Sequence, residues 1–192
     1  MRAGNILFTG VGGQGILLAS ELTALALLAA GFDAKKSEVH GMAQRGGSVT
    51  AQLRFGERVY APLIAMGTAD VQVAFEMMEA ARYLPYLRQG GTVVVNTQKI
   101  LPPAVATGKA SYPENILATL TAQKVNYLSL DAFDMARQVG EIKTANVVMV
   151  GALSGLLPVD AAVFENSIAA RVPAKFKEVN IEAFRRGRAV SA

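Results

Sequence analysis

The only histidine of this 192-residue chain, His40, stands in the stretch SEVHGMAQRGGSVTAQLRF, residues 37–55. Between His40 and Gly47 the chain sets an imidazole, the Gln44 amide, the Arg45 guanidinium and three glycines close together. A guanidinium presents parallel N–H donors that match a carboxylate or a phosphate, and flanking glycines let a backbone approach closely. His40, Met42, Gln44, Arg45 and Gly46 are therefore the candidates for contact with a ligand that carries a carboxylate or phosphate, or with a partner chain. The chemistry they exclude is as informative. His40 has no second histidine and only Glu38 as a nearby acid, so a zinc site is not expected. No G-x-S-x-G elbow presents a serine nucleophile. A hydrogen-bonded loop that merely joins two strands accounts for the same residues.

A second cluster, GVGGQG at residues 10–15, lies between a β-like run, Asn5 to Thr9, and an apolar run, Ile16 to Ala30. Gly10, Gly12 and Gly15 fit G-x-G-x-x-G, and at a strand-to-helix junction the helix amides can face an anion. Gly10, Gly12, Gly13, Gln14 and Gly15 are the anion- or phosphate-loop candidates. A dinucleotide site would add an acid at the end of the second strand, about 20 residues on. Asp33 has that spacing but opens the second strand, and Lys35 and Lys36 follow it. The glycines could equally serve a tight turn and close helix packing. A stand-alone NAD(P) oxidoreductase of Rossmann type is the alternative function they leave open.

The elements that must hold these clusters follow from periodicity. Ile16 to Ala30 reads as a helix stopped by Gly31, apolar nearly all round and so expected to touch a sheet and a further helix or partner. FDAKKSEV is a second strand. In SVTAQLRF, Val49, Ala51, Leu53 and Phe55 alternate with polar residues, the pattern of a half-buried strand. FGERVY predicts a turn into a short antiparallel return. ADVQVAFE is a strand, EMMEAARYLPYL a helix broken at Gly90-Gly91, and TVVVN a buried strand. A helix at PENILATLTAQK, a strand at VNYLSL and a helix capped by Asp131 come next. Helices behind Thr144 and Asp160, and one over AKFKEVNIEAFRRGR, fill the last third. This order predicts a single domain over residues 1–192. Its expected fold is a three-layer α/β/α with a mainly parallel, Rossmann-like sheet, some antiparallel pairing and a helical C-terminal third.

Composition narrows the function. There is no cysteine, hence no disulfide, thiolate nucleophile or cysteine-held cluster. No leader segment is visible, and Ile16 to Ala30, which includes Ser20, Glu21 and Thr23, is shorter than the roughly 20 residues of a membrane span. A cytoplasmic protein is expected, with no membrane and no nucleic-acid partner. The net charge is +4, and residues 171–188 alone account for it. That segment is either a solvated helix face or a docking surface for an acidic partner.

GVGGQG, EVHGMAQRGGSV, PLI, GTADVQVAFE, EAARYLPYL, GGTVVVN, TANVVMVGAL and KEVNIEAFRRG occur in this order along essentially the whole chain. Together they resemble the gamma-type subunits of the 2-oxoacid:ferredoxin oxidoreductases, with HGMAQRGG pointing to the indolepyruvate branch. The resemblance implies oxidative decarboxylation of a 2-oxoacid, an aryl pyruvate in that branch, with the acyl group passed to coenzyme A and electrons to ferredoxin. It also implies a heteromeric complex in which a large partner subunit holds thiamine diphosphate, Mg and the Fe-S clusters. This chain is then the subunit without cofactor, metal or catalytic residues of its own. The absence of cysteine and of a Gly-Asp-Gly diphosphate motif agrees with that division of labour. In this frame His40 to Gly47 becomes a recognition loop at an assembled active site.

Overall fold

The computed structural model describes residues 3–40 and 47–191. Its centre is a sheet with strand order β2-β3-β1-β4-β5-β6. The strands are β1 (Gly4–Val11), β2 (Asp33–His40), β3 (Ser48–Gly56), β4 (Ala69–Ala74), β5 (Leu87–Asn96) and β6 (Asn126–Leu130). β1, β4, β5 and β6 run parallel, while β3 is antiparallel to both β1 and β2. The expected mixture of pairings is present, but β3 supplies the antiparallel part. The predicted return at GERVY is not a strand: the Val59 amide donates to Asp33 Oδ2 at 2.7 Å, and residues 57–66 cross the sheet without regular structure.

The helices are α1 (Ile16–Ala29), α2 (Met77–Arg82), α3 (Pro103–Ala106), α4 (Ile116–Ala122), α5 (Ala132–Val139), α6 (Ala145–Ser154), α7 (Ala161–Arg171) and α8 (Lys177–Ala189). α1, α5, α6, α7 and α8 cover one face of the sheet, packing on Ile6, Phe8, Leu53, Val73 and Val94. α2 and α4 cover Val93 and Val95 on the other. These are the three layers expected, with the helical last third all on one side. α1 meets the sheet inward and α6 and α7 sideways, which explains its broad apolar surface; Leu25 and Leu28 alone of its leucines stay substantially exposed.

The second helix ends earlier than its sequence pattern predicts. Pro85 disfavours helical backbone at Leu84 and brings no amide of its own, so α2 stops at Arg82 and a 3₁₀ turn, Leu84–Tyr86, follows. Gly90 and Gly91 lie inside β5, not at a helix end. They fall where the β4–β5 register shifts between Ala69 and Val71, a bulge that absorbs extra residues.

α6 is the most enclosed element, with every residue from Ala145 to Ser154 buried. α8 crosses it at backbone contact. A Cβ on Gly151 would lie 2.1 Å from the Phe184 carbonyl oxygen, and one on Gly187 would lie 1.9 Å from that of Val148. Phe164 of α7 and Phe184 of α8 stack at 5.5 Å beside this crossing.

Candidate functional site

β1, β4 and β5 finish, and β3 starts, at one end of the sheet. The two motifs singled out from the sequence meet there. Gly10 pairs with Val49 and Val11 with Ser48, and the Gly12 amide donates to the Gly47 carbonyl at 2.9 Å. On the far flank of β3, the backbone of His40 lies opposite Val49. The glycine turn and both ends of the histidine–arginine stretch are thus neighbours. Met42, Gln44, Arg45 and Gly46 lie outside the described residues.

Gln14 organises this end. Its Oε1 accepts from the Val11 amide at 2.7 Å, and its Nε2 donates to the Phe75 carbonyl and to Gln98 Oε1, both at 2.8 Å. The side chain therefore closes its own turn and also spans to the ends of β4 and β5. Asn96 adds a second clasp, donating to Phe75 O at 3.0 Å and accepting from the Ala132 amide at 3.0 Å. Two of the loop glycines have steric work. A Cβ on Gly10 would stand 2.9 Å from Phe75 Cβ; one on Gly15, which has φ +75°, would stand 2.6 Å from Asn146 Nδ2. Gly13, at φ +102°, faces open space.

This geometry does not support the dinucleotide alternative. In that site the pyrophosphate lies in the crevice beyond the strand ends, and here the Gln14 amide bridges it. β2, which would bring the ribose-binding acid alongside β1, is an antiparallel edge strand separated from β1 by β3. Asp33 is spent on structure: the Val59 amide and then the Lys35 ammonium, 2.9 Å away, hold its carboxyl below the ordinary range.

Sequence reasoning missed two carboxylates beneath this end, Glu76 and Glu79, both buried. Glu76 caps α2. Its Oε2 accepts from the Glu79 amide at 3.0 Å; its Oε1 accepts from the Ile100 amide at 3.1 Å and from the Tyr112 hydroxyl. Burial and then this carboxylate push the Tyr112 phenol well above its usual value. Glu79 Oε2 accepts from Ser48 Oγ at 2.5 Å, and Arg82 Nε lies 2.9 Å from Oε1. The Tyr83 hydroxyl is 3.2 Å from the same Ser48 Oγ. Desolvation raises the Glu79 carboxyl above the ordinary value, against the pull of Ser48 and Arg82. Glu79 thus fixes the first residue of β3, next to Gly47. The detectable signal was an acid after a strand with a second acid three residues on, inside the apolar run FEMMEAA.

Both carboxylates are saturated from within the chain, so they do not fit a diphosphate–Mg²⁺ site. Among the described residues, no group of three or more His, Cys, Asp or Glu could hold a metal ion, and no helix is long and apolar enough to cross a membrane. What this end offers is a hydrogen-bonded platform that adjoins Gly47 and the backbone of His40.

The chain is similar to known proteins over nearly its whole length. Residues 5–190 match the model of the pyruvate ferredoxin/flavodoxin oxidoreductase family. The indolepyruvate oxidoreductase subunit IorB of Pyrococcus horikoshii is 42% identical over 189 residues, covering 96% of this chain and 94% of the relative. Its namesake in Thermococcus kodakarensis is 43% identical over 197 residues, covering 97% and 95%. The keto/oxoacid ferredoxin oxidoreductase gamma subunit of Geobacter sulfurreducens superposes with a TM-score of 0.73 at 25% identity, covering 98% of each chain. Family match and full-length relatives agree, and the chain belongs to the pyruvate ferredoxin/flavodoxin oxidoreductase family.

Proposed function

We propose that this chain is the cofactor-free, gamma-type subunit of an indolepyruvate-type 2-oxoacid:ferredoxin oxidoreductase, one domain over residues 1–192, working in the cytoplasm. The observation that carries the reading is the end-to-end similarity to IorB subunits at 42–43% identity. The large subunit of the same complex is assigned thiamine diphosphate, Mg and the Fe-S clusters, which together supply oxidative decarboxylation with electron transfer to ferredoxin; coenzyme A is the acyl acceptor. With no cysteine, this chain has no thiolate with which to ligate a cluster.

Its own residues act by contact. His40, Met42, Gln44, Arg45 and Gly46 are proposed to face substrate, coenzyme A or the partner. Arg45 would pair with a carboxylate or phosphate oxygen, and His40 and Gln44 would give directional hydrogen bonds. Gly10, Gly12, Gly13, Gln14 and Gly15 form the adjoining segment. The Gly12–Gly47 hydrogen bond supports treating the two motifs as one surface.

The test is reconstitution. The pure chain should be colourless, free of iron, sulfide and thiamine, and inactive with indolepyruvate. Mixed with its large subunit, it should restore indolepyruvate-dependent reduction of ferredoxin. Turnover by the chain alone would sink the subunit assignment. A complex active on pyruvate or 2-oxoglutarate but not on aryl pyruvates would overturn the substrate assignment.

A further inference from the structure

The basic charge of residues 171–188 is divided in the fold. Three arginines are neutralised inside the chain: Arg171 by Glu21 at 2.7 Å, Arg185 by Glu165 at 2.8 Å and Arg186 by Glu182 at 2.9 Å. Arg188 reaches Ser154 Oγ at 2.8 Å. Lys175 and Lys177 are exposed, as is Lys143, and none of the three enters an ion pair among the described residues. Arg185 and Arg186 are thus not the charges left for a partner; the lysines are.

Between α1, the start of α6 and the α7–α8 connection lies a cavity of about 190 Å³; Lys175 and Lys177 are the chain neighbours of Phe176, which lines it. Leu18, Val172, Pro173 and Phe176 give it apolar walls, and Asn146 and Asn180 line it with amides. Lys143 lines it too, and Lys175 Nζ sits 4.8 Å from the centre of the Phe176 ring. Phe176 is 36% exposed and Ile142, beside Lys143 in the chain, is 48% exposed. Of the neighbouring acids, Glu141 is turned to the Lys143 amide at 3.1 Å, and Glu178 lies in the first turn of α8, where the helix dipole favours it. Ligand pockets for small molecules usually exceed about 300 Å³, whereas interface hot spots are single large side chains seated in desolvated pockets. The cavity wall continues into the candidate site, since Asn146 Nδ2 contacts the Gly15 carbonyl at 3.4 Å.

We propose that this cavity receives an apolar anchor side chain from an acidic segment of the large subunit, with Lys143, Lys175 and Lys177 meeting the carboxylates that flank it. The inference rests on the subunit assignment above. It adds where the partner is held: beside the first turn of α1, so that docking and the glycine turn share one surface.

Affinity for the separately purified large subunit, measured by calorimetry at low and high salt, tests it. Lys175→Glu/Lys177→Glu should weaken binding by about tenfold or more at low salt, and the deficit should shrink as salt rises. Ile142→Asp/Phe176→Asp should weaken binding at both salt levels. Lys109→Glu/Lys124→Glu, an equal change of charge elsewhere, should bind as the parent does, and melting temperatures of all variants should confirm folding. If both cavity variants bind like the parent, the docking site is wrong while the subunit assignment stands. Equal weakening by the Lys109/Lys124 variant would reduce the effect to bulk charge and also overturn the site. A parent chain that does not bind the large subunit at all overturns both readings.

Discussion

Gln14 illustrates how much one side chain can decide at the residue scale. Its amide meets one donor and two acceptors, a pattern that only an amide satisfies. Gln14→Glu keeps the bond to the Val11 amide but sets a carboxylate against the Phe75 carbonyl and Gln98 Oε1. Leaving buried polar groups unpaired costs about 1–3 kcal/mol, so urea unfolding should show a loss in that range, and Gln14→Ala should behave similarly. Glu79 makes a prediction about pH. Its carboxyl is raised above the ordinary 4.5, so the folded chain binds the proton more tightly than the unfolded chain does. The stabilising contribution is complete below that value and is lost as pH rises through the folded value. Glu79→Gln should therefore flatten the stability profile above pH 4.5, read as the change in denaturation midpoint between acid and neutral buffer. A variant with the parent's slope would show that Glu79 does not titrate in that window.

At the scale of elements, the close crossing of α6 and α8 is the point of least tolerance. Gly151→Ala or Gly187→Ala would drive a methyl into a backbone oxygen, and the helices would have to separate. Overpacking of this kind costs about 1–3 kcal/mol and sometimes more; chemical denaturation of either variant measures it, and parent-like stability would mean the helices can slide apart freely. Most elements were legible because local pattern and fold agree. The alternation in residues 49–55 became β3, the apolar run after GVGGQG became α1, and Asp131 caps α5 by accepting from the Asp134 amide at 2.9 Å. What the sequence did not disclose depends on distant partners. Val59 fails to start a strand because an Asp33 side chain takes its amide. Gln14 looks like a loop residue until Phe75 and Gln98, 61 and 84 positions away, come to meet it. The Glu76–Tyr112 and Glu79–Ser48 contacts likewise join segments more than 30 residues apart. At the site itself, residue types gave the candidates, and only the fold showed that residues 10–15 and the ends of 40–47 adjoin.

For the whole molecule, the question is where charge is available. Sequence alone places the excess in residues 171–188; folding hides most of the arginines in pairs with Glu21, Glu165 and Glu182. The Arg185 and Glu165 side chains grip each other through two hydrogen bonds of 2.8 Å, which hold the Glu165 carboxyl below its ordinary 4.5. A folded value that is lowered contributes stability above pH 4.5 and loses it as pH falls. Arg185→Glu should therefore lower the melting temperature slightly at neutral pH, with the deficit closing in acid, while complex assembly stays intact. Loss of assembly with unchanged melting behaviour would place Arg185 at the interface after all.

The crossing of α6 and α8 also bears on how the chain is made. Residues 145–154 are all buried in the finished fold, yet the helix that covers them, 177–189, is translated later. At about 5–20 residues per second, α6 is synthesised seconds before its lid. Until α8 is free to pack, this mostly apolar helix has chiefly α1, α5 and the sheet to shelter it. The sheet and α1 can assemble as they emerge, but the last core layer closes only once α8 is free. A released chain truncated between residues 155 and 176 would leave α6 uncovered and should attract chaperones, whereas the full chain should not.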